Sequence, residues 1–160
     1  MQNISFREIK PEDNPIIAKI IRDSLTEFNC NKPGTVFTDP ETDRVSFQFL
    51  SPKTKYYVAE LNGEVVGGAG INLLEGEPDK CELQKLYLKK AARGMGIANS
   101  LMDKCINFAR EAGYQFMYLE TKKELAIAVP LYEKYGFTYL DGALGNTGHF
   151  NCEIRMLKSL

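Results

Sequence analysis

A glycine-rich turn stands directly before a helical pattern near the middle of the chain, and it reads Arg93-Gly94-Met95-Gly96-Ile97-Ala98. Glycines let a phosphate approach the backbone closely, and the first turn of a helix offers unpaired N–H groups and the positive end of the dipole. Arg93 adds a positive charge. This pattern predicts a cradle for a phosphate or pyrophosphate, although a plain strand-to-helix turn can have the same residues.

Two other phosphate-binding motifs fit this turn poorly. In a dinucleotide-binding fold the third glycine would fall at Asn99, and the two βαβ repeats of that fold are missing from the pattern. A P-loop needs Gly-Lys-Ser or Gly-Lys-Thr, which does not follow here. Hydride chemistry and a P-loop are therefore not expected.

The elements that must position the turn form a β-helix-β unit. Apolar residues at helical spacing predict a helix over residues 94–112, closed by Gly113. Strands are predicted before and after it, over residues 81–88 and 115–121. The helix therefore lies against a sheet, with the glycine turn at its N-terminus.

The remaining segments also alternate between strand and helix. Asn62-Gly63 is a strong hairpin signal between two strand-like runs. The other predicted elements are a strand at 5–10, a helix carrying 16–25, a short helix at 40–50, hairpin strands at 56–61 and 65–73, and C-terminal strands at 137–140 and 150–157. The pattern indicates an α/β (mixed α+β) fold, and the length of 160 residues suits one domain over 1–160.

Three stretches taken together carry a family resemblance. Glu82-Leu83-Gln84-Lys85-Leu86-Tyr87-Leu88 precedes the Arg-x-x-Gly-x-Ala turn, and Leu131-Tyr132-Glu133-Lys134-Tyr135-Gly136-Phe137 follows the next strand. In this order they resemble the GNAT superfamily of N-acetyltransferases. The resemblance implies a central, mostly antiparallel mixed sheet of about seven strands flanked by about four helices. It also implies acetyl-CoA as co-substrate and direct transfer of its acetyl group to a primary amine of a small molecule or peptide.

The same resemblance assigns residues to acetyl-CoA. The strand backbone at Leu86, Tyr87 and Leu88 is expected to lie along the pantetheine arm. The turn is expected to hold the pyrophosphate through the backbone amides of Arg93, Gly94, Met95, Gly96, Ile97 and Ala98. One position departs from the family pattern, because Leu125 stands where an Asn often helps to position the cofactor.

Two side chains are candidates for the transfer chemistry. Amines are mostly protonated at neutral pH, so a base is useful, and Glu82 on the strand before the turn matches the carboxylate of family members. Tyr132 matches the family's acid, which would donate to the departing sulfur. A structural glutamate and a core tyrosine remain the alternatives. Tyr135, one helical turn further on, serves as the control residue.

His149 is the only histidine, and it stands three residues before Cys152. A His/Cys pair invites a nucleophilic mechanism with an acyl-enzyme. On a regular strand, however, an odd separation points the two side chains to opposite faces. We expect no such dyad, and the position of His149 near the last hairpin makes it a candidate for the acceptor pocket.

Composition excludes several classes of partner. Charge is nearly balanced, with 20 Lys and Arg against 21 Asp and Glu, which is unlike a nucleic-acid-binding surface. No apolar run approaches the length of a membrane span, and the N-terminus does not resemble a secretion signal, so a cytoplasmic location is expected. Four scattered cysteines without a CxxC pair indicate thiols in a reducing compartment rather than a metal or redox site.

Three points stay open in the sequence. A non-catalytic CoA-binding sensor or partner module could keep the glycine turn without a working acid or base. A longer donor such as succinyl-CoA would need a cationic partner for its extra carboxylate. The acceptor itself and the oligomeric state, for which a homodimer is the expectation, are not marked by any motif.

Overall fold

The structure is a computed structural model that describes residues 2–34, 36–145 and 153–160. The α-helices are α1 (Asn14–Glu27), α2 (Ile97–Glu111) and α3 (Val129–Lys134). The strands are β1 (Ile4–Glu8), β2 (Lys55–Leu61), β3 (Glu64–Leu73), β4 (Lys80–Leu88), β5 (Phe116–Thr121), β6 (Thr138–Tyr139) and β7 (Ile154–Ser159). Short 3-10 segments lie at Pro11–Asp13, Pro40–Gln48, Lys90–Ala92 and Lys123–Ala128.

The strands of the described residues form one sheet of seven in the order β1-β2-β3-β4-β5-β7-β6. Every neighbouring pair is antiparallel except β4 and β5, which are parallel and are joined by the crossover helix α2. The β2–β3 turn places Asn62 at φ 53° and Gly63 at φ 85°, as an Asn-Gly hairpin requires. The expected mostly antiparallel mixed sheet and its flanking helices are confirmed.

Two apolar cores cover the two faces of the sheet. Helix α2 buries Leu101, Met102 and Cys105 in the core that includes Ala59 of β2. Helix α1 buries Ile17 and Ile21 in a second core with Val58, the neighbour of Ala59 on the same strand. Successive residues of a strand point to opposite faces, so α1 and α2 sandwich the sheet.

The parallel pair β4 and β5 is joined over only three residues. Lys80, Cys81 and Glu82 pair with Phe116, Met117 and Tyr118 in turn. Both strands continue further, β4 along β3 and β5 along β7, without pairing to each other. The sheet therefore splits between them, and the split is where the N-terminus of α2 lies.

A bulge interrupts β4 just beyond that point. Gly70 pairs with Gln84 and Gly68 pairs with Tyr87, so β4 has two residues where β3 has one. Lys85, in the bulge, has φ 55°, a left-handed conformation that is uncommon for residues other than glycine. The bulge breaks the alternation of side chains along β4. Side chains after the bulge therefore lie on the opposite faces of the sheet from those that a regular strand would give.

Some predicted boundaries are wrong. Helix α2 begins at Ile97, because Gly94 and Gly96 both have φ 79° and lie outside the helix. The segment Pro40–Gln48 is a 3-10 helix broken at Arg44 rather than an α-helix. Its apolar residues recur at every second position, so it lacks the spacing of an amphipathic α-helix. The two C-terminal strands pair as expected, but they cover Thr138–Tyr139 and Ile154–Ser159.

Candidate active site

A cleft of about 380 Å³ opens where β4 and β5 separate. Its walls come from the C-terminal halves of both strands, the first turn of α2, and α3 with the segment before it. The sequence-predicted residues that line it are Leu86, Tyr87, Leu88, Arg93, Gly94, Gly96, Ile97, Ala98 and Tyr132. The structure thus brings nearly all of the predicted binding residues together.

The glycine turn has the geometry of an anion cradle. Gly96 is the N-cap of α2, and its carbonyl accepts the first helical bond from the amide of Ser100 at 3.1 Å. The amides before Ser100 in the first turn have no intrahelical acceptor, and the positive end of the dipole faces the same side. These backbone groups are of the kind that bind an anion at a helix N-terminus. Met95 does not line the cleft, and its side chain packs against the α2 core.

Arg93 is tied to the end of α1. Its guanidinium donates to both carboxylate oxygens of Glu27 at 2.9 Å and to the carbonyl of Leu88 at 3.2 Å. It also lies 5.3 Å from the ring centre of Phe28. The bond from Arg93 holds the pKa of Glu27 below its usual value. The positive charge predicted for Arg93 is therefore largely neutralised by Glu27, and Arg93 links the end of α1 to the rim of the cleft.

The edge of β4 that faces the cleft can take an extended ligand. Past Glu82, no strand within residues 36–145 and 153–160 pairs with this edge. A strand edge without a partner offers backbone N–H and C=O groups at regular spacing. The Leu88 carbonyl already accepts a bond from Arg93, so Leu86 and the residues near it have the better placed groups.

Tyr132 lies on α3 and is 7% exposed. Its ring packs edge-on against Phe137, with centroids 6.0 Å apart, and burial raises its pKa to about 12. Within the described residues its hydroxyl has no hydrogen-bond partner, and the residue lines the cleft. The phenol thus stays protonated at neutral pH and is available to donate to a group in the cleft.

Tyr135 has a different environment. Its hydroxyl lies 3.0 Å from the Asn99 carbonyl and 2.8 Å from Oδ1 of Asp103, both on α2. Tyr135 does not line the cleft. It joins α3 to α2, which makes it a suitable control for Tyr132.

Glu82 is only 3% exposed and lines a side pocket of about 70 Å³ that adjoins the cleft. Nε2 of Gln84 donates to its carboxylate. Burial raises the pKa of Glu82 to about 7, and the nearby charge of Glu120 adds to the effect. A carboxyl with this pKa exchanges protons near neutral pH, which suits a general base.

Sequence reasoning missed a second carboxylate and a tyrosine on β5. Tyr118 pairs with Glu82 in the parallel register, and its hydroxyl donates to Oε2 of Glu120 at 2.6 Å. Glu120 lines both the cleft and the side pocket. Residues two apart share a strand face, so the sequence alone shows that Tyr118 and Glu120 lie on one face of β5. The strand register that brings this face close to Glu82 is not visible in the sequence.

Comparison with known proteins agrees with this geometry. The model of the Acetyltransferase (GNAT) family matches residues 19–137. The chain belongs to the GNAT acetyltransferase family. The expected acyl-CoA-dependent N-acyltransferase is thereby confirmed at the level of the family, with acetyl-CoA as the co-substrate.

One relative and two solved structures illustrate the match. The chain is 44% identical to the uncharacterized N-acetyltransferase YjgM of Escherichia coli K12, covering 99% of this chain and 96% of that protein. A GNAT acetyltransferase from Staphylococcus aureus Mu50 superimposes with a TM-score of 0.88 at 20% identity, covering 99% of each chain. The PaiA N-acetyltransferase of Thermoplasma acidophilum in complex with coenzyme A gives 0.77 at 15% identity, again covering 99% of each. These two structures support the fold.

The GNAT position occupied by Leu125 lies in the wall between the two cavities. Leu125 lines both of them and thus supplies an apolar surface where an Asn often stands. It belongs to the 3-10 segment Lys123–Ala128, and α3 follows at Val129 with Pro130 in its first turn.

The remaining expectations concern His149 and the cysteines. His149 and Cys152 lie outside the described residues. Cys30, Cys81 and Cys105 are buried thiols, and burial raises their pKa values. In the described ranges, no helix is long and apolar enough to cross a membrane, and no group of three His, Cys, Asp or Glu is placed to hold a metal ion.

Proposed function

We propose that this protein transfers the acetyl group of acetyl-CoA directly to a primary amine of a small molecule or peptide, with Glu82 as base and Tyr132 as acid. The observation that carries the proposal is the position of these two groups in adjoining cavities at the split between β4 and β5. One has a pKa near 7 and the other remains protonated to about 12. Such a divided pair is what an acid–base mechanism requires.

The cleft offers separate places for the parts of the co-substrate. The amides of the Gly94 and Gly96 turn suit the pyrophosphate, because they present N–H groups and a helix dipole without a competing side chain. The open edge of β4 suits the amide groups of the pantetheine arm. The thioester at the end of that arm then lies toward the side pocket.

Glu82 handles the proton of the acceptor. In its ionised form it accepts a proton from the ammonium group, directly or through a water molecule, and leaves the nitrogen lone pair free to attack. The transfer forms a C–N bond to the acetyl carbon and breaks the C–S bond of acetyl-CoA, and the nitrogen loses its second proton to solvent as the amide forms. Gln84 keeps the Glu82 carboxylate oriented through its amide hydrogen bond.

Tyr132 is the general acid for the leaving group. Its hydroxyl donates a proton to the departing sulfur, so that CoA leaves as a neutral thiol, and the phenolate is reprotonated by solvent. Packing against Phe137 fixes the ring, and the lack of a hydrogen-bond partner among the described residues leaves the hydroxyl free for this task.

The direct test is release of free CoA thiol from acetyl-CoA with amino acids, polyamines, aminoglycosides and peptides as acceptors. We expect release with at least one class, together with N-acetylated product by mass spectrometry. Binding of acetyl-CoA is measured in parallel by calorimetry. Retained binding with no thiol release in any class contradicts the proposal and favours a CoA-binding sensor of the same fold.

A further inference from the structure

Lys85 lies where the cleft and the side pocket meet, and it lines both. It belongs to the β4 bulge with φ 55°, and the hydroxyl of the buried Tyr56 donates to its carbonyl at 2.8 Å. A non-glycine residue in this conformation is strained, and such residues cluster at functional sites. The bulge thus places Lys85 at the junction of the two cavities.

The ammonium group of Lys85 has no direct counter-ion within the described residues, taking 4.0 Å as the limit for an ion pair. Asp39, Glu82 and Glu41 act on it only from further away, and desolvation lowers its pKa. Lys80 on the same strand is different, because its Nζ lies 3.1 Å from Asp79 and 3.7 Å from Glu77. An enclosed cation without an ion pair favours binding of an anion.

We propose that Lys85 binds a carboxylate of the acceptor, and that the acceptor is therefore an α-amino acid or a molecule ending in the same amine-and-carboxylate group. This inference rests on the proposed acetyl transfer and adds the substrate class.

The side pocket has both charges that such a group needs. Glu82 and Glu120 suit the amine, and Lys85 suits the carboxylate at the opening to the cleft. Its volume of about 70 Å³ is small. It is much smaller than the cleft of about 380 Å³, so the side pocket suits a compact head group. A polyamine would bring further positive charge toward Lys85, so purely cationic acceptors are disfavoured.

A carboxylate could also come from the donor, as in succinyl-CoA, because Lys85 lines the cleft as well. The acceptor is favoured because Lys85 shares the side pocket with Glu82, the group that must meet the attacking amine. A donor carboxylate would instead reach Lys85 only from the cleft side. The two sources are separated by varying one substrate at a time.

The test compares free amino acids with their amides, which keep the amine and side chain but lose the carboxylate charge. The twenty L-amino acids and the matching L-amino-acid amides are assayed with acetyl-CoA by thiol release. We expect the best amino acid to exceed its amide in kcat/KM by about tenfold to hundredfold, the range for a hydrogen bond to a charged group. Lys85→Met should reduce that ratio at least tenfold, Lys85→Arg should keep part of it, and Lys80→Met should leave it unchanged.

Several outcomes overturn the inference. Equal or better use of amides or polyamines by the wild type shows that the acceptor needs no carboxylate, while acetyl transfer itself stands. A preference for succinyl-CoA over acetyl-CoA that disappears in Lys85→Met moves the carboxylate to the donor. Absence of thiol release with every acceptor and both donors contradicts the proposed function, and this inference with it.

Discussion

Glu82 on β4 and Tyr118 on β5 form the last register pair before the two parallel strands separate. Every group of the candidate active site lies around this point. Glu82 and Glu120 line the side pocket, and the open edge of β4 and the first turn of α2 line the cleft. The length of the parallel pairing therefore sets where the cleft and the side pocket open.

Replacing Gly96 with Ala should weaken acetyl-CoA binding. Gly96 has φ 79°, and a Cβ there would meet no protein atom within 4 Å, so it would project into open space beside the cradle. We expect a loss of stability of about 1–2 kcal/mol from the left-handed conformation. We also expect a rise of at least tenfold in the acetyl-CoA Kd, measured by calorimetry.

Gly113→Ala is the matched control for this substitution. Gly113 follows the other end of α2 with φ 92°, and its Cβ would likewise meet nothing within 4 Å. It should cost a similar amount of stability while leaving the acetyl-CoA Kd unchanged. Equal affinities of the two variants would show that the turn at Gly96 does not hold the co-substrate.

The rate should depend on the ionisation of Glu82. Its pKa of about 7 means that the carboxylate form, which accepts protons, increases as pH rises through neutrality. We expect kcat/KM to rise with pH and to level off above about pH 7, which gives the pH–rate profile a first limb. Glu82→Gln should remove that limb and lower kcat/KM by about 10²-fold. A second limb at higher pH, from the acceptor amine itself, should remain and serves as an internal control.

The same carboxyl should make stability depend on pH. Burial raises its pKa from 4.5 to about 7, so the folded state binds the proton more tightly than the unfolded state. This contribution is fully present below about pH 4.5 and is lost as pH rises through about 7. Glu82→Gln has no such charge to bury. Relative to wild type it should gain up to about 3 kcal/mol in unfolding free energy between pH 4.5 and pH 8.

Urea denaturation at both pH values measures this difference. Glu64→Gln is the control, because Glu64 is an exposed residue at the start of β3. Its stability difference from wild type should be the same at the two pH values. If the difference in unfolding free energy between Glu82→Gln and wild type is also the same at both pH values, Glu82 is not desolvated in solution.

The parts of the site that the sequence predicted depend on local signals. Gly94 and Gly96 stand out because their left-handed backbone conformations favour glycine, and Tyr132 was found through its motif with Gly136 and Phe137. Lys85 lies in the stretch 82–88 that carries part of the family resemblance, but no local signal marks it as a binding residue. Its direction depends on a bulge, which is set by the pairing of β4 with the glycines of β3.

Other differences also come from long-range contacts. Nothing near Glu120 in the sequence indicates that parallel pairing brings it close to Glu82. The pattern predicts a short helix over residues 40–50, because Pro40-Glu41-Thr42 can begin one. The structure has instead a 3-10 helix over Pro40–Gln48 that is broken at Arg44, alternates its apolar residues and contacts α1. Hydrophobic periodicity thus predicts most of the helices and strands, whereas strand register determines which side chains line the two cavities.

The most direct test of the account is the turnover of Tyr132→Phe and Tyr135→Phe with acetyl-CoA and the best acceptor of the panel. Tyr132→Phe should lower kcat by about 10²-fold with an unchanged Kd for acetyl-CoA, because only the proton for the departing sulfur is lost. Tyr135→Phe should turn over within a fewfold of wild type, since Tyr135 does not line the cleft and its hydroxyl bonds to Asn99 and Asp103 of α2. A kcat for Tyr132→Phe equal to that of wild type would contradict the account.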